Sequence, residues 1–485
     1  MNSSSPSNQP IIVWFRQDLR LSDNPALWHA AQTGKPVLFL YIRDDISEAV
    51  RPLGAAQNWW LHHSLTSLAS DIMQWGGRLI LKSGPAQEVV DHIMAQTGAD
   101  EIVWNRRYGE GEQQVDRAIK AAYAGKATSF DGLLLHEPSQ VRTGSDQPYR
   151  VYTPFWKKLS SGAPPRAPLP RPEQVTHFQS SMESEQLESW ALLPTTPDWS
   201  IPLARHWQPG EAGGQQNLAT FIDGNIDHYA TARDNPGADL TSRLSPHLRF
   251  GEISPHQAWH AASSTPNKDE SLHQLTWRKQ LVWREFSYHL LQEWPRLASE
   301  NFNPKFDNFP WIWDDNAASA LKAWKEGQTG YPIVDAGMRQ LYSTGWMHNR
   351  VRMIVASFLV KHLMIDWRRG EQWFWDTLVD GDPAANPSQW QWVAGTGADA
   401  APYFRIFNPI LQAQKFDPSG SYIHQYVPEL ARLPARYLAA PWEAPGSELR
   451  QAGIKLGETY PLPIVEHKRA RERALDALQS TRQES

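Results

Sequence analysis

Cysteine is absent from all 485 residues, which removes disulfides, thiolate metal sites and cysteine nucleophiles together. No apolar run reaches membrane-spanning length, and the opening MNSSSPSNQP (1–10) is a polar tail without the apolar core of a signal peptide. A dominant charge is missing too. There are 47 basic and 52 acidic side chains, a formal −5, so a nucleic-acid site has to be a local basic patch and not a global field. Internal repeats are also lacking. These absences predict a soluble, cytoplasmic protein with no membrane partner, long enough for two or three domains.

Tryptophan, by contrast, is plentiful. The chain has 24, and 12 of them fall between positions 277 and 392. A large, stiff, redox-active side chain at that density suits stacking or electron transfer. It equally suits a core that uses indole for bulk, and density alone does not choose.

Residues 11–137 alternate short apolar runs, IIVWF (11–15), PVLFLYI (36–42), RLILK (78–82), EIVWN (101–105) and GLLLHE (132–137), with amphipathic stretches. Near-continuous apolar strands between helices predict a parallel, doubly wound, Rossmann-like sheet, an α/β domain over 1–137. Neither G-x-G-x-x-G nor a P-loop is present, so an ordinary dinucleotide or triphosphate site is not supported. Ten of the 37 prolines lie between 151 and 210, which marks 138–214 as a connector. Strand signals vanish after that. Helical patterns at 272–294, 331–345 and 347–367 predict a large all-α domain over 215–485.

Three stretches can carry chemistry. In WMHNRVRMIVASFLVKHL (346–363), helical spacing puts Trp346, Asn349, Arg350 and Met353 on one face, either the wall of a polar pocket or an ordinary amphipathic surface. In DGDPAANPSQWQW (380–392), Asp380 and Asp382 flank Gly381, and Asn386, Trp390 and Trp392 follow. Those aspartates suit acid–base work, buried arginines or a helix cap; with no histidine or glutamate at ligand spacing, no metal is expected. TSRLSPHLRFGEIS (241–254) gathers hydroxyls at a helix start, where backbone N–H groups suit phosphate. Together they suggest a large aromatic cofactor bearing phosphate.

With these motifs quoted, GYPIVDAGMRQL (330–341), TGWMHNRVRMI (344–354), DWRRGE (366–371), WQW (390–392) and YFRIFNP (403–409) identify a resemblance. From VWFRQDLRLSDNPAL (13–27) nearly to its end, the chain resembles the photolyase/cryptochrome family, and most nearly the bacterial cyclobutane-dimer photolyases of class I and class III type. That resemblance implies light-driven repair of cyclobutane pyrimidine dimers in DNA, a lyase reaction in which excited reduced FAD lends one electron to a flipped-out dimer. It implies that Tyr229, Thr241, Ser242, Arg243, Leu244 and Ser245 hold the FAD phosphates. Asp380, Gly381 and Asp382 lie toward flavin and ribose, with Arg352 as salt-bridge partner of Asp380, and Asn386 faces flavin N5. Trp283, Asn349, Arg350, Met353 and Trp392 correspond to dimer-binding residues. Arg233, Arg284 and the basic run 346–369 are implied contacts to the DNA backbone.

Trp390, Trp367 and one earlier tryptophan match the chain that carries electrons from the surface to oxidised flavin. Spacing from Trp283 points to Trp311 and spacing to Trp324 points to Trp313; the reading prefers Trp311. One departure stands out. The family has glutamate where this chain has Gln280, which can donate a hydrogen bond but not a proton. The (6-4) enzymes also have glutamine there, although they carry histidines where this chain has Asn349 and Met353. In the sheet domain the resemblance implies an antenna, methenyltetrahydrofolate or alternatively a deazaflavin. Trp59 and Trp60 are read as core rather than antenna residues. A monomer is expected, associated with the nucleoid through DNA. The rival readings are a cryptochrome-like photoreceptor, against which Asn386 and the short tail after Pro461 count, (6-4) photolyase activity, given Gln280, and a nucleotide-binding Rossmann protein with a helical appendage.

Overall fold

The computed structural model describes residues 9–179, 181–263, 270–399 and 404–483. Residues 1–8 of the polar tail and Tyr403 of the 403–409 motif lie outside the described residues. Contacts divide the chain into two compact units. The first comprises Met1–Asp227, Ser242–Pro295 and Val379–Asp382; the second comprises His228–Thr241, Arg296–Leu378 and Pro383–Ser485. The division falls at neither 137 nor 214, because each unit is assembled from separated stretches.

In the first unit, β1 (Ile11–Phe15), β2 (Val37–Arg43), β3 (Leu79–Ser83) and β4 (Glu101–Asn105) form at the apolar runs that announce them. With β5 (Ala127–Phe130) they make one parallel sheet in the order β3-β2-β1-β4-β5. Every residue of β1 is buried, as in a strand covered on both faces. The intervening helices are α1 (Pro25–Gln32), α2 (Ala55–Gln74), α3 (Ala86–Thr97) and α4 (Glu110–Ala122). Asn24 starts α1 by accepting from the Leu27 N–H, with Pro25 in the first turn.

The run 132–137 is not a strand. Side chains claim its backbone instead: Gly132 O accepts from Arg20 Nη2 (2.8 Å), Leu133 O from Arg284 Nη1 (2.9 Å), and the Glu285 carboxylate from the N–H groups of Leu135 and His136 (2.9 and 3.2 Å). Bonded sideways in this way, the segment has few groups left for a ladder, and the less apolar 127–130 takes the edge position. The proline-rich stretch also has a job within this unit. Glu185 N–H donates to Leu81 O, Leu81 N–H to Ser184 Oγ and Ser83 N–H to Glu185 Oε1, each at 2.9 Å. It thereby satisfies the outer edge of β3, which would otherwise invite pairing with another chain. Helix α5 (Tyr152–Ser160) follows residues 132–137 along the chain, and α6 (Ser245–Phe250) and α7 (Leu272–Glu293) come later. A reciprocal capping box between Ser271 and Gln274 opens α7.

The second unit is helical. Its labelled helices are α8 (Asp315–Lys325), α9 (Pro332–Thr344), α10 (Asn349–Ser357), α11 (Trp367–Thr377), α12 (Ala385–Ala394) and α13 (His467–Gln483). Trp324, Phe358, Trp367, Phe374 and Trp390 belong to one buried apolar cluster. The single helix expected over 347–367 is two. α10 widens into a π turn at Phe358–His362 and stops; Met364 takes φ 55°, and Asp366 starts α11 by accepting from the Arg368 N–H. Trp346 precedes α10, whose cap is His348. It therefore does not share a helical face with Asn349, Arg350 and Met353, because Gly345, at φ 65°, ends α9 and turns the chain there.

Candidate functional site

In the first unit, the segment expected to hold phosphate opens α6. Leu244 is buried, Ser242 and Arg243 are half-buried and Ser245 is exposed. Arg243 adopts φ 49°, a left-handed conformation that costs a non-glycine residue about 1–2 kcal/mol. A buried relay fixes the helix that follows. His247 Nδ1 meets Glu252 Oε2 at 2.5 Å, Trp60 Nε1–H donates to Glu252 Oε1 at 2.9 Å, and Asn217 Nδ2 lies 3.2 Å from His247 Nε2. Trp60 is fully buried and Trp59 nearly so, so both are core.

Asp380 and Asp382 are buried in the same unit. Arg249 Nε donates to the Gly381 carbonyl between them at 2.6 Å, and Tyr288 Oη donates to Asp382 Oδ2 at 2.8 Å. Burial and the Asp382 charge push the Tyr288 phenol well above its ordinary pKa, so it stays a donor. On α7, the Trp283 ring lies flat on Tyr152, with centroids 3.7 Å apart and planes 3° from parallel; Tyr152 Oη in turn donates to Lys279 O at 3.0 Å. Nothing in the local sequence marks this partner, since 131 positions separate the two rings. Gln280 Nε2 donates to Thr276 O at 3.1 Å. Arg284 has a side chain only 11% exposed and bonds Leu133 O, a placement that serves the unit's interior more than a phosphate.

In the second unit, Tyr229 is buried and the Arg233 guanidinium lies 5.4 Å from its ring centre. Asp234 joins Arg233 (3.9 Å) to Arg350 (2.8 Å), and Arg350 Nη1 is 3.9 Å from Met353 Sδ. His348 Nδ1 accepts from the Arg350 N–H at 3.2 Å; burial above all depresses its pKa to about 4, so it remains neutral and able to accept. Asn349 is exposed, and Arg350, Met353 and Trp392 are half-buried. Arg352 Nε donates to Met347 O at 2.7 Å. Thr241, the last residue of its stretch in this unit, is half-buried.

Asn386, buried at the start of α12, donates from Nδ2 to both the backbone O (3.1 Å) and Oε1 (2.9 Å) of Glu371. A carbonyl oxygen only accepts, so the amide's NH₂ must face Glu371 and its Oδ1 is left as a free acceptor. Further along α12, the buried Trp390 ring lies edge-on to Phe374 (5.0 Å) and Trp324 (6.2 Å), and its Nε1 has no hydrogen-bond partner among the described residues. Trp367, also buried, donates to Asn301 Oδ1 at 2.9 Å. Trp311 packs against the cluster that holds Trp367 and Trp390, whereas Trp313 is 63% exposed, with Arg369 5.9 Å from its ring. Gly370 makes room for this packing, because a Cβ there would come within 2.2 Å of Trp390 Cη2. Among the described residues, no group of three or more histidines and acids is arranged to hold a metal ion, and no helix is long and apolar enough to cross a membrane.

Residues 11–173 match the DNA photolyase family, and residues 277–480 match the FAD binding domain of DNA photolyase. A deoxyribodipyrimidine photo-lyase of Agrobacterium fabrum is 53% identical over 471 residues, covering 96% of this chain and 97% of that protein. The crystal structure of a bacterial class III photolyase from Agrobacterium tumefaciens superposes with a TM-score of 0.95 at 52% identity over 99% of both chains. Cryptochrome-1 of Arabidopsis thaliana is 36% identical over 96% of this chain and 70% of its own length. Such identity across almost the whole length places this chain in the DNA photolyase family, with the family's FAD-binding domain in its C-terminal part.

Proposed function

We propose that this chain is a deoxyribodipyrimidine photo-lyase that splits cyclobutane pyrimidine dimers in DNA under near-ultraviolet or blue light. The observation that carries the reading is Asn386. With both amide hydrogens committed to Glu371, its oxygen is presented as an uncharged acceptor, the group required beside a flavin N5–H. The rest of the donor set also fits FAD: buried carboxylates at Asp380 and Asp382 for hydroxyl and imide donors, and hydroxyls at Thr241, Ser242 and Ser245 for phosphate oxygens. Arg352 is a proposed cation of the flavin set, and Tyr229, Arg243 and Leu244 complete the phosphate segment. FAD, when bound and reduced, supplies one electron to the dimer under light and takes it back after the ring opens, with no net redox change.

The side chains do the rest. Trp283, held flat by Tyr152, and Trp392 offer faces to a bulky, poorly stacked dimer that leaves duplex DNA at low cost. Met353 packs against it, while Asn349, Arg350 and Gln280 hydrogen-bond its polar edges. Arg233 and Arg350 contact the backbone phosphates. Trp390, Trp367 and Trp311 relay electrons inward when the flavin is oxidised; Trp311 is preferred to Trp313 because it packs on the apolar cluster containing the other two. For the antenna, methenyltetrahydrofolate suits a cavity of about 280 Å³ in the first unit, lined by Trp156, Trp259, Arg278 and Glu270, where two indoles can meet a flat pterin and the charged pair its polar edge. Action as a monomer on nucleoid DNA in the cytoplasm completes the proposal.

The test is illumination of the reduced, FAD-loaded protein with oligonucleotides carrying either a cyclobutane dimer or a (6-4) lesion. Loss of the cyclobutane dimer alone is expected. Dimers that survive in full overturn the reading, and repair of the (6-4) lesion reassigns the substrate.

A further inference from the structure

Helices α8, α9 and α11 of the second unit line a surface cavity of about 650 Å³ that the repair reading leaves unused. Its size is that of a small-molecule site. Leu321 and Met338 provide apolar lining, and two rings, Trp373 and Tyr342, border the same space; Tyr342 is 66% exposed and so open to a ligand.

The charges are one-sided. Four cations line the cavity against a single carboxylate, Glu326. Lys322 is paired with that carboxylate at 2.8 Å, and Arg339 with Glu429 at 2.8 Å. Lys325 and Arg369 remain, and among the described residues neither has a carboxylate within ion-pair distance. The Lys325 ammonium lies 4.3 Å from the centre of the Trp373 ring. Its pKa is lowered first by burial and then by the Arg369 charge, with Asp376 acting in the opposite sense. Two cations close enough to repel, beside an indole, form a place where an anion relieves the repulsion and a flat ring gains a stacking partner.

We propose that this cavity binds a nucleoside monophosphate, a flat heteroaromatic ring carrying a phosphate dianion. The phosphate lies between Lys325 and Arg369, and the ring packs against Trp373 and Tyr342. Free phosphate would leave the apolar lining wet, because the cavity is several times larger than one such ion. A neutral nucleoside would leave the two cations unpaired. Arg369 ends the basic run 346–369 implied to contact the DNA backbone, but Lys325, Trp373 and Tyr342 belong to no proposed flavin, lesion or electron-relay set, so binding here is read apart from repair.

Calorimetric titration of the FAD-loaded protein with 5′-AMP, adenosine and inorganic phosphate tests it. AMP is expected to bind at least about tenfold more tightly than either fragment, and more weakly as salt rises, while adenosine is insensitive to salt. The double variant Lys325→Gln/Arg369→Gln, its fold checked by flavin absorbance, weakens AMP by about tenfold or more and leaves adenosine unchanged. Trp373→Leu weakens AMP and adenosine but not phosphate. Should the double variant lose its flavin, Lys325→Gln alone and the salt series decide. Equal AMP affinity in the charge variants, no AMP binding at all, or phosphate binding as tightly as AMP each overturn the proposal.

Discussion

Within the proposed flavin-to-lesion chemistry, two positions are open to direct test. Gln280 stands where the family carries glutamate, and its amide nitrogen is turned back to Thr276 O on the same helix. A carboxylate cannot make that bond and is released toward solvent or substrate. Gln280→Glu is therefore expected to raise the quantum yield of dimer repair by about twofold, a carboxyl group replacing an amide that cannot give a proton. Yield per absorbed photon, measured beside the parent protein, checks this, and an unchanged value makes the position neutral. Glu371 closes the DWRRGE motif with no role implied for it there, yet it orients Asn386. Removing its carboxylate in Glu371→Leu leaves the buried amide one partner short, a loss of about 1–3 kcal/mol in stability. It also lets Oδ1 turn away, so the photoreduced flavin reoxidises faster in the dark. Glu371→Gln keeps an acceptor oxygen and restores most of the lifetime; identical reoxidation in all three proteins would remove Glu371 from the account.

At the scale of elements, the approach of α11 to α12 rests on Gly370. A methyl group there meets Trp390 Cη2 at 2.2 Å, Trp390 Cζ3 at 2.5 Å and Leu359 Cδ2 at 2.6 Å. Gly370→Ala should cost about 1–3 kcal/mol of stability by overpacking and slow photoreduction of oxidised flavin. In Gly370→Ala/Trp390→Phe, the smaller ring lacks the two clashing indole atoms and only the Leu359 Cδ2 contact remains, so stability recovers in part while photoreduction does not. Recovery of both would take Trp390 out of the relay. Helices α7 and α9 were legible at 272–294 and 331–345 because both carry apolar residues at helical spacing, and β1 to β4 because a strand buried on both faces has almost no polar residue to blur it. The run 132–137 has the same apolar signature yet is no strand, since what settles its conformation is Arg20, Arg284 and Glu285, up to 151 positions away. The single helix drawn over 347–367 failed for a local reason. Apolar residues run straight through the break, and neither the left-handed Met364 nor Asp366, a modest capping signal, outweighs them.

Across the whole chain, sequence order is a poor guide to which stretches pack together, since the first unit takes back 242–295 and 379–382 after the second has begun. Both units nevertheless share one electrostatic habit, the burial of neutral histidine. Burial is the main cause that depresses the pKa of His256 and His362 to about 3 and of His289 and His348 to about 4. Two of them act as acceptors, His289 Nε2 from the Tyr149 N–H at 2.9 Å and His348 Nδ1 from the Arg350 N–H. Below about pH 6.5 the unfolded chain protonates all four while the folded chain does not, so acid favours unfolding by up to roughly 1.4 kcal/mol per pH unit for each histidine. Glu285 acts in the opposite sense. Burial raises its carboxyl to about 7 from 4.5, so its contribution is complete below 4.5 and lost as pH rises through 7. In the overlapping window four protons oppose one, and acid destabilisation wins. The denaturant midpoint should fall steadily from pH 6.5 to 5. His289→Gln, whose amide oxygen still accepts from Tyr149, should make that fall shallower by about one proton's worth. Glu285→Gln, uncharged at every pH, should gain stability relative to the parent above pH 7 and lose that advantage at pH 5. A parent midpoint that holds level or rises between pH 6.5 and 5 would mean these histidines already carry their protons in the folded protein, and the acceptor roles of His289 and His348 would have to be given up.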